Sequence, residues 1–390
     1  MACHGVFLAA DDGLALGIFE SMPEAVVGGI LLVAILASVY PAVVLRKYIR
    51  IVMNILNDQA PPPEQDTRDV GQLEGEVVSF RARDGLRLEG VLIPGQTGNG
   101  YRGMIIFAHE FGSDRRSCSR YCNALLRAGY DVFAFDFRGH GASGSEEGYR
   151  PRQLPSDREE ADMLGAIAFV QSHLAEECRV PRIGVFGISR GAGAAILASV
   201  GIESVRAIVT DGAYCNDTIL EYYMKRFARI FAKIRIVAEN HPPAFWRFLR
   251  WLLLRECRRR FKCNFPSVRK AAIRIGKKPI FLVHGEKDSY IPIAQSQMLF
   301  DLARGPKSLW IVPGATHNQG VLVQPTEYAR RVLAFFEEHL AIKPAETSLL
   351  LRRSARLEEV PVDIGTRVAK RALATRPPGV LGSARQRSSP

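Results

Sequence analysis

No lysine or arginine occurs before Arg46. A cleaved secretory leader needs a basic segment ahead of a short apolar run and a small-residue cleavage site. Here the residues ahead of the first apolar run carry only acidic charge, at Asp11, Asp12, Glu20 and Glu24, so a leader is disfavoured. Cysteine is also scarce: the seven (Cys3, Cys118, Cys122, Cys178, Cys215, Cys257, Cys263) are odd in number and contain no CxxC spacing. Cys118 and Cys122 stand four apart, but no nearby His or second Cys pair completes a zinc set. Free thiols in a reducing compartment are the expectation. No internal repeat is present, and no metal or cofactor signature.

Basic charge is not lacking overall, since the chain carries a net +12, but most of the chain lacks any excess of it. Residues 221–278 hold seventeen Lys or Arg against three Glu, and residues 343–390 hold ten basic against four acidic residues. The remainder is net acidic, which is not what a nucleic-acid-binding fold offers. Nucleic acid is therefore not an expected partner, and the basicity is an added feature.

The apolar run itself, Ala25 to Leu45, has twenty-one residues without a charge. At about 1.5 Å per residue it spans about 31 Å, the thickness of a bilayer hydrocarbon core. It predicts an N-terminal transmembrane helix. Arg46, Lys47 and Arg50 follow it directly, and such an excess marks the cytoplasmic side. The expectation is a single-pass membrane protein with segment 1–24 outside and the large C-terminal part in the cytoplasm.

A polar stretch with three consecutive prolines predicts a stiff linker within residues 46–73. Beyond it, eight strand-like stretches alternate with helical patterns. MIIFA, VFAF, IGVF and IFLV are nearly continuous apolar runs, as central strands covered on both faces require. This alternation predicts an α/β fold with a mostly parallel eight-stranded sheet and helices on both faces. The two opening strands have no helix between them and suggest an antiparallel start. The pattern breaks over 213–276, a helical stretch rich in arginine and aromatics, so the core is expected at 74–212 and 277–342 with a basic helical cap inserted. The tail 343–390 reads as disordered, with a short helix around 349–357.

The chemistry-bearing residues lie where the strands end. Gly187-Ile188-Ser189-Arg190-Gly191 is a G-x-S-x-G between the strand RIGVF and the small-residue helix GAGAAILASV. A serine at such a sharp turn presents its hydroxyl at a helix N-terminus, and flanking glycines are needed because side chains there would clash. A serine hydroxyl needs a base, usually an imidazole held by a carboxylate. His284-Gly285-Glu286-Lys287-Asp288 follows IFLV, and Gly314-Ala315-Thr316-His317 follows LWIV. Asp288 is assigned as the orienting acid and His317 as the base, with Asp211 in reserve and Glu286 behind it. The oxyanion donors are expected to be the backbone N–H groups of Arg190 and Phe111. Residues 136–144, DFRGHGASG, lack the lysine and spacing of a P-loop and read as a structural loop, which leaves His140 a weak catalytic candidate.

In order, HEFGSD, DFRGHGASG, GISRG, HGEKDSYIP and GATH resemble the α/β-hydrolase superfamily, and within it the membrane-anchored serine aminopeptidase S33 and Bem46-like hydrolases. The resemblance covers about residues 74–212 and 277–341. It implies the α/β-hydrolase fold, a Ser189–Asp288–His317 triad and no metal or other cofactor. Many relatives have His-Gly where this chain has His109-Glu110, which puts a carboxylate into the oxyanion loop; Glu110 is expected to point away from the oxyanion.

A membrane-anchored serine hydrolase acting on carboxylic esters, thioesters or amides through an acyl-enzyme is thus the leading expectation, with a small-molecule or lipid-like acyl substrate. An S33-type aminopeptidase and a catalytically silent membrane scaffold are the alternatives. The cap is read three ways: as a plain lid, as a surface resting on the anionic leaflet, or as a site for an acidic partner or RNA.

Overall fold

The computed structural model describes residues 23–57, 74–96, 101–231 and 242–340. The segment 1–22, linker residues 58–73, the tail 343–390 and the short helix expected at 349–357 lie outside them.

The first helix, α1 (Glu24–Asn57), contains the charge-free run and continues twelve residues past it. Among the described residues no helix is long and apolar enough to cross a membrane. The transmembrane span expected over 25–45 is therefore not found, and positions 36–38, 40–42 and 44–45 of that run have side chains outside the described set.

Eight strands follow: β1 (Glu76–Arg81), β2 (Arg87–Ile93), β3 (Met104–Ala108), β4 (Asp131–Phe135), β5 (Ile183–Ile188), β6 (Val205–Asp211), β7 (Ile280–Gly285) and β8 (Lys307–Val312). They form one sheet in the order β1-β2-β4-β3-β5-β6-β7-β8. β2 is antiparallel to β1 and β4, and every other pairing is parallel. Every residue of β3, β5 and β7 is buried, which is why these strands read as unbroken apolar runs rather than alternating ones.

Helices close both faces. On one lie α3 (Asp157–Glu176), α4 (Arg190–Ala198), α7 (Val268–Arg274) and α8 (Ala294–Leu302), sharing a core with Met163, Ala194, Val268 and Leu299. On the other lie α2 (Cys118–Arg127) and, after the one-turn α9 (Gly320–Val323), α10 (Pro325–Leu340), with Cys122, Leu125, Val332 and Phe336 inside. Small residues dominate α4 because it lies almost flush against the sheet. A side chain on Gly191 would stand 2.2 Å from the Ala108 carbonyl oxygen.

Between β6 and β7, α5 (Asn216–Phe231) and α6 (Pro243–Phe261) build a separate small core. Trp246, Leu249, Leu253 and Cys257 line the buried face of α6, and Met53 of α1 meets Cys257 sulfur to sulfur at 3.4 Å. The outer face carries Phe248 and Trp251, each about half exposed and stacked at 6.0 Å. The thiols of Cys118, Cys122, Cys178, Cys215, Cys257 and Cys263 are all free.

Candidate active site

Parallel strands deliver their C-terminal ends to one edge, and there the loops after β3, β5, β6, β7 and β8 converge. Ser189 sits between β5 and α4 at φ +51° and ψ −112°, a conformation that costs a non-glycine residue energy and persists only when surroundings impose it. They do so here. The Ser189 N–H donates to the Asp211 carbonyl oxygen of the adjacent strand at 2.7 Å. Its own carbonyl starts the hydrogen-bonding of α4 through Ala192 and Gly193. A Cβ on Gly187 would lie 2.6 Å from the Ala192 Cα, and one on Gly191 would strike the Ala108 and His109 carbonyls. Both glycines of the motif are thus sterically required.

The hydroxyl oxygen of Ser189 is 2.8 Å from His317 Nε2, and His317 Nδ1 is 2.6 Å from Asp288 Oδ2. Ser189 precedes Asp288 by 99 residues and His317 by 128, yet the three are joined in one hydrogen-bonded line, each less than a tenth exposed. Asp288 is held from its other side: Oδ1 accepts the backbone N–H groups of Tyr290 and Ile291 at 2.9 and 2.8 Å. With His317 on Oδ2, the carboxylate cannot rotate without losing bonds. His284 braces the same turn, with Nε2 donating to the Ile291 carbonyl at 2.9 Å while Ser296 Oγ lies 2.7 Å from Nδ1. Burial pushes the His284 imidazole below the usual histidine range, so it serves as a neutral bracket. Gly212, at φ +65°, passes so close that a Cβ would stand 2.9 Å from His317 Cε1. His284 and Gly212 were not singled out from the sequence, because neither spacing nor periodicity reveals a brace.

The other candidates are placed elsewhere. Asp211 instead accepts the Tyr328 hydroxyl at 2.8 Å; its burial pushes the carboxyl up to about 7. Glu286 accepts the Gly314 N–H at 2.8 Å on the surface. Glu110 is buried, with Ser117 Oγ 3.4 Å from its Oε2, and burial raises its pKa.

The loop after β3 is fixed by two imidazoles. His109 Nδ1 donates to the Glu110 carbonyl at 2.6 Å, leaving Nε2 to accept the Phe137 N–H at 3.1 Å. His140 Nδ1 donates to the Arg138 carbonyl at 3.0 Å, and its Nε2 accepts the Gly112 N–H at 3.4 Å. Burial, aided by the neighbouring charge of Arg190, brings His140 down to about 4, which keeps Nε2 an acceptor. The structure thus ties the glycine-rich loop to the β3 loop instead of opening it as a phosphate cradle. Among the described residues the backbone N–H groups of Phe111 and Arg190 donate to no protein acceptor. No group of three or more metal-ligating side chains occurs there either.

Such an arrangement can activate a hydroxyl for attack on a carbonyl carbon. Known proteins share its family and fold. The profile of the Alpha/beta hydrolase family matches residues 91–331. The uncharacterized protein YfhR of Escherichia coli O157:H7 is 26% identical over 247 residues, 62% of this chain and 73% of that protein. The uncharacterized protein PA2218 of Pseudomonas aeruginosa is 26% identical over 317 residues, 69% of this chain and 82% of its own length. Among solved structures, the esterase Pf2001 of Pyrococcus furiosus is 25% identical, with a TM-score of 0.50 over 72% of this chain and 100% of that one. An alpha/beta hydrolase from Penicillium, GrgF, shares the fold with a TM-score of 0.51 at 20% identity over 69% of this chain and 100% of its own.

Proposed function

Because the chain belongs to the Alpha/beta hydrolase family, we propose that it is a serine hydrolase that cleaves carboxylic esters through an acyl-enzyme on Ser189. The observation that carries this reading is the hydrogen-bonded line Ser189–His317–Asp288. In the first half-reaction the Ser189 oxygen attacks the ester carbonyl carbon as its proton passes to His317 Nε2. Asp288 stabilises the imidazolium and keeps Nδ1 protonated. The N–H groups of Phe111 and Arg190 meet the developing oxyanion, a contribution of about 3–4 kcal/mol for one such donor. Collapse of the tetrahedral intermediate expels the alcohol, which takes the proton from His317. Water then repeats the sequence on the acyl-enzyme and releases the acid. The Pyrococcus esterase supports an ester over other carbonyl substrates; thioesters and amides would enter by the same route.

A membrane setting belongs to the same proposal. Its support is the charge-free run 25–45, the half-exposed Leu31, Leu32, Val33, Ile35 and Val43 along α1, and the basic residues that follow them. The α6 face with Phe248 and Trp251 amid arginines adds to it. On this reading α1 anchors a cytoplasmic hydrolase, and the cap meets the anionic leaflet from which a lipid-like acyl substrate would come.

A fluorophosphonate probe tests the chemistry. The wild-type chain should be labelled at Ser189 and turn over p-nitrophenyl esters, with the preferred acyl length read from a chain-length series run beside aminopeptidase substrates. Ser189→Ala should abolish both. Labelling that persists in Ser189→Ala, or none in the wild type, sinks the proposal.

A further inference from the structure

The side chain of Arg190 is a second matter from its backbone. It is completely buried one residue after the nucleophile, and a buried guanidinium is costly unless its charge is met. Its surroundings meet that charge from one direction and leave it pressed against the oxyanion loop from another. Nη1 lies 3.5 Å from Glu159 Oε1 and donates to the Arg152 carbonyl at 3.2 Å. Nη2 stands 3.4 Å from His140 Nε2. The guanidinium carbon is 5.2 Å from the ring centroids of both Phe111 and Phe137, and Nε has no hydrogen-bond partner. With the Nε–H left unmatched, hydrogen-bonding alone does not set the pose; the two ring faces, which attract a cation, help to hold it.

Glu159 is equally buried and equally engaged. Oε2 accepts the Ser156 N–H at 2.8 Å and lies 2.6 Å from its hydroxyl, and Oε1 accepts the Tyr149 hydroxyl at 2.7 Å. Burial pushes this carboxyl up, but the charge of Arg190 and these hydrogen bonds outweigh it and hold it below the usual range. Glu159 therefore remains an anion pinned to the first turn of α3, and it fixes Arg190 relative to the sheet.

We propose that the guanidinium of Arg190 is a positioning clamp for the oxyanion site, seated on Glu159 and holding the Phe111 ring so that the Phe111 N–H faces the position of the developing oxyanion. One residue would then supply one oxyanion donor from its backbone and fix the second through its side chain. Three loops that meet nowhere in sequence are coupled in this way: the β3 loop at Phe111, the loop after β4 at Phe137 and His140, and the elbow at Ser189. The inference rests on the serine-hydrolase reading. Arg190 in this role touches no reacting atom through its side chain, so its loss should leave substrate binding nearly intact and weaken only transition-state stabilisation.

The experiment compares p-nitrophenyl esters with the matching thionoesters. Their larger, softer sulfur fits poorly between two fixed N–H donors, so an ordered oxyanion site favours the oxygen ester strongly and a disordered one does not. The full chain carries Arg190→Met, Arg190→Met with Glu159→Gln to keep the buried charges balanced, Arg190→Lys, or Phe111→Leu, which removes the ring and leaves both charges. The charge-balanced pair and Phe111→Leu should each lower kcat about 10- to 100-fold, within the range for one oxyanion donor, with KM changed less than about threefold. The ester-to-thionoester ratio should fall with kcat. Arg190→Lys, which keeps the charge but not the plane, should not rescue. Combining Phe111→Leu with Arg190→Met and Glu159→Gln should cost little more than either, because both remove one contact. An unchanged ester-to-thionoester ratio, or losses that multiply in the combination, overturns the clamp while the wild type remains an active esterase. An inactive wild type would instead remove the hydrolase reading beneath it.

Discussion

At the scale of single residues, the site depends on what two positions next to the imidazole do not do. Gly212 offers no Cβ to His317, and it sits at φ +65°, where a side chain is strained in any case. Gly212→Ala should push the ring off the Ser189 hydroxyl. We expect kcat to fall at least about tenfold, whereas the fold loses about 1–3 kcal/mol; full activity with an unaltered melting point would refute the contact. Asp211, by contrast, is near the imidazole and holds a proton at a pH where an ordinary carboxyl would not. Its pKa is raised by burial from 3.8 to about 7. Between those values the folded chain retains a proton that the unfolded chain has released, so the stability this group contributes is complete below about pH 4 and is lost as pH rises through about 7. Asp211→Asn cannot ionise. The melting temperature of the variant minus that of the wild type should therefore climb from pH 4 to pH 7 and level off above it. A flat or falling difference would show that Asp211 is ionised throughout.

Among the elements, the loop after β4 is the glycine-rich stretch that lacks the lysine and spacing of a phosphate cradle and reads as structural. Arg138 reaches back from it into the protein, 1% exposed, and pairs with Asp162 of α3 at 2.6 Å. Asp84 and Glu146, both partly exposed, complete the cage. Asp162→Ala would leave a buried cation with only its outer partners. It should destabilise the fold by about 3–5 kcal/mol, read by denaturant melts, and a change below about 1 kcal/mol would mean that the outer pair suffices.

The same scale shows what the chain made legible. β3, β5 and β7 announce themselves because full burial on both faces demands unbroken apolar runs. The meeting of Ser189, His317 and Asp288 was legible because each stands just after the end of a strand in one sheet. Arg190 was read only for its backbone N–H. Its side chain meets Glu159 thirty-one residues earlier and Phe111 a further forty-eight before that, and contacts between loops leave no periodic trace. The short helix α7 falls within the stretch read as cap, yet Val268, Ala271 and Ala272 pack with α4 in the main core; seven residues are too few for a periodic pattern to disclose which neighbour they face.

For the whole molecule the open question is orientation, and charge decides it. A chain that is net acidic outside residues 221–278 and the tail would be attracted to an anionic surface only where basic residues gather: just after the run 25–45, in the cap and in the tail. The outer face of α6 places Phe248 and Trp251 toward one end and Arg258, Arg259 and Arg260 toward the other. Aromatic rings at headgroup depth gain from burial, and each nearby cation gains about 1 kcal/mol from an anionic leaflet, within a Debye length. On the proposed membrane reading the apolar residues of α1 would bind neutral and anionic vesicles alike, so the basic residues, those of the cap among them, are visible in the difference between the two. With the full chain, phosphatidylserine in phosphatidylcholine vesicles should tighten binding, and rising salt should erase the gain. Arg247→Gln, Arg258→Gln and Arg260→Gln together should remove about 3 kcal/mol of it, roughly a hundredfold, whereas Phe248→Ser with Trp251→Ser should weaken binding to both vesicle types. Equal binding to neutral and anionic vesicles by the unaltered chain at low salt would place the cap away from the bilayer and return it to the role of a lid.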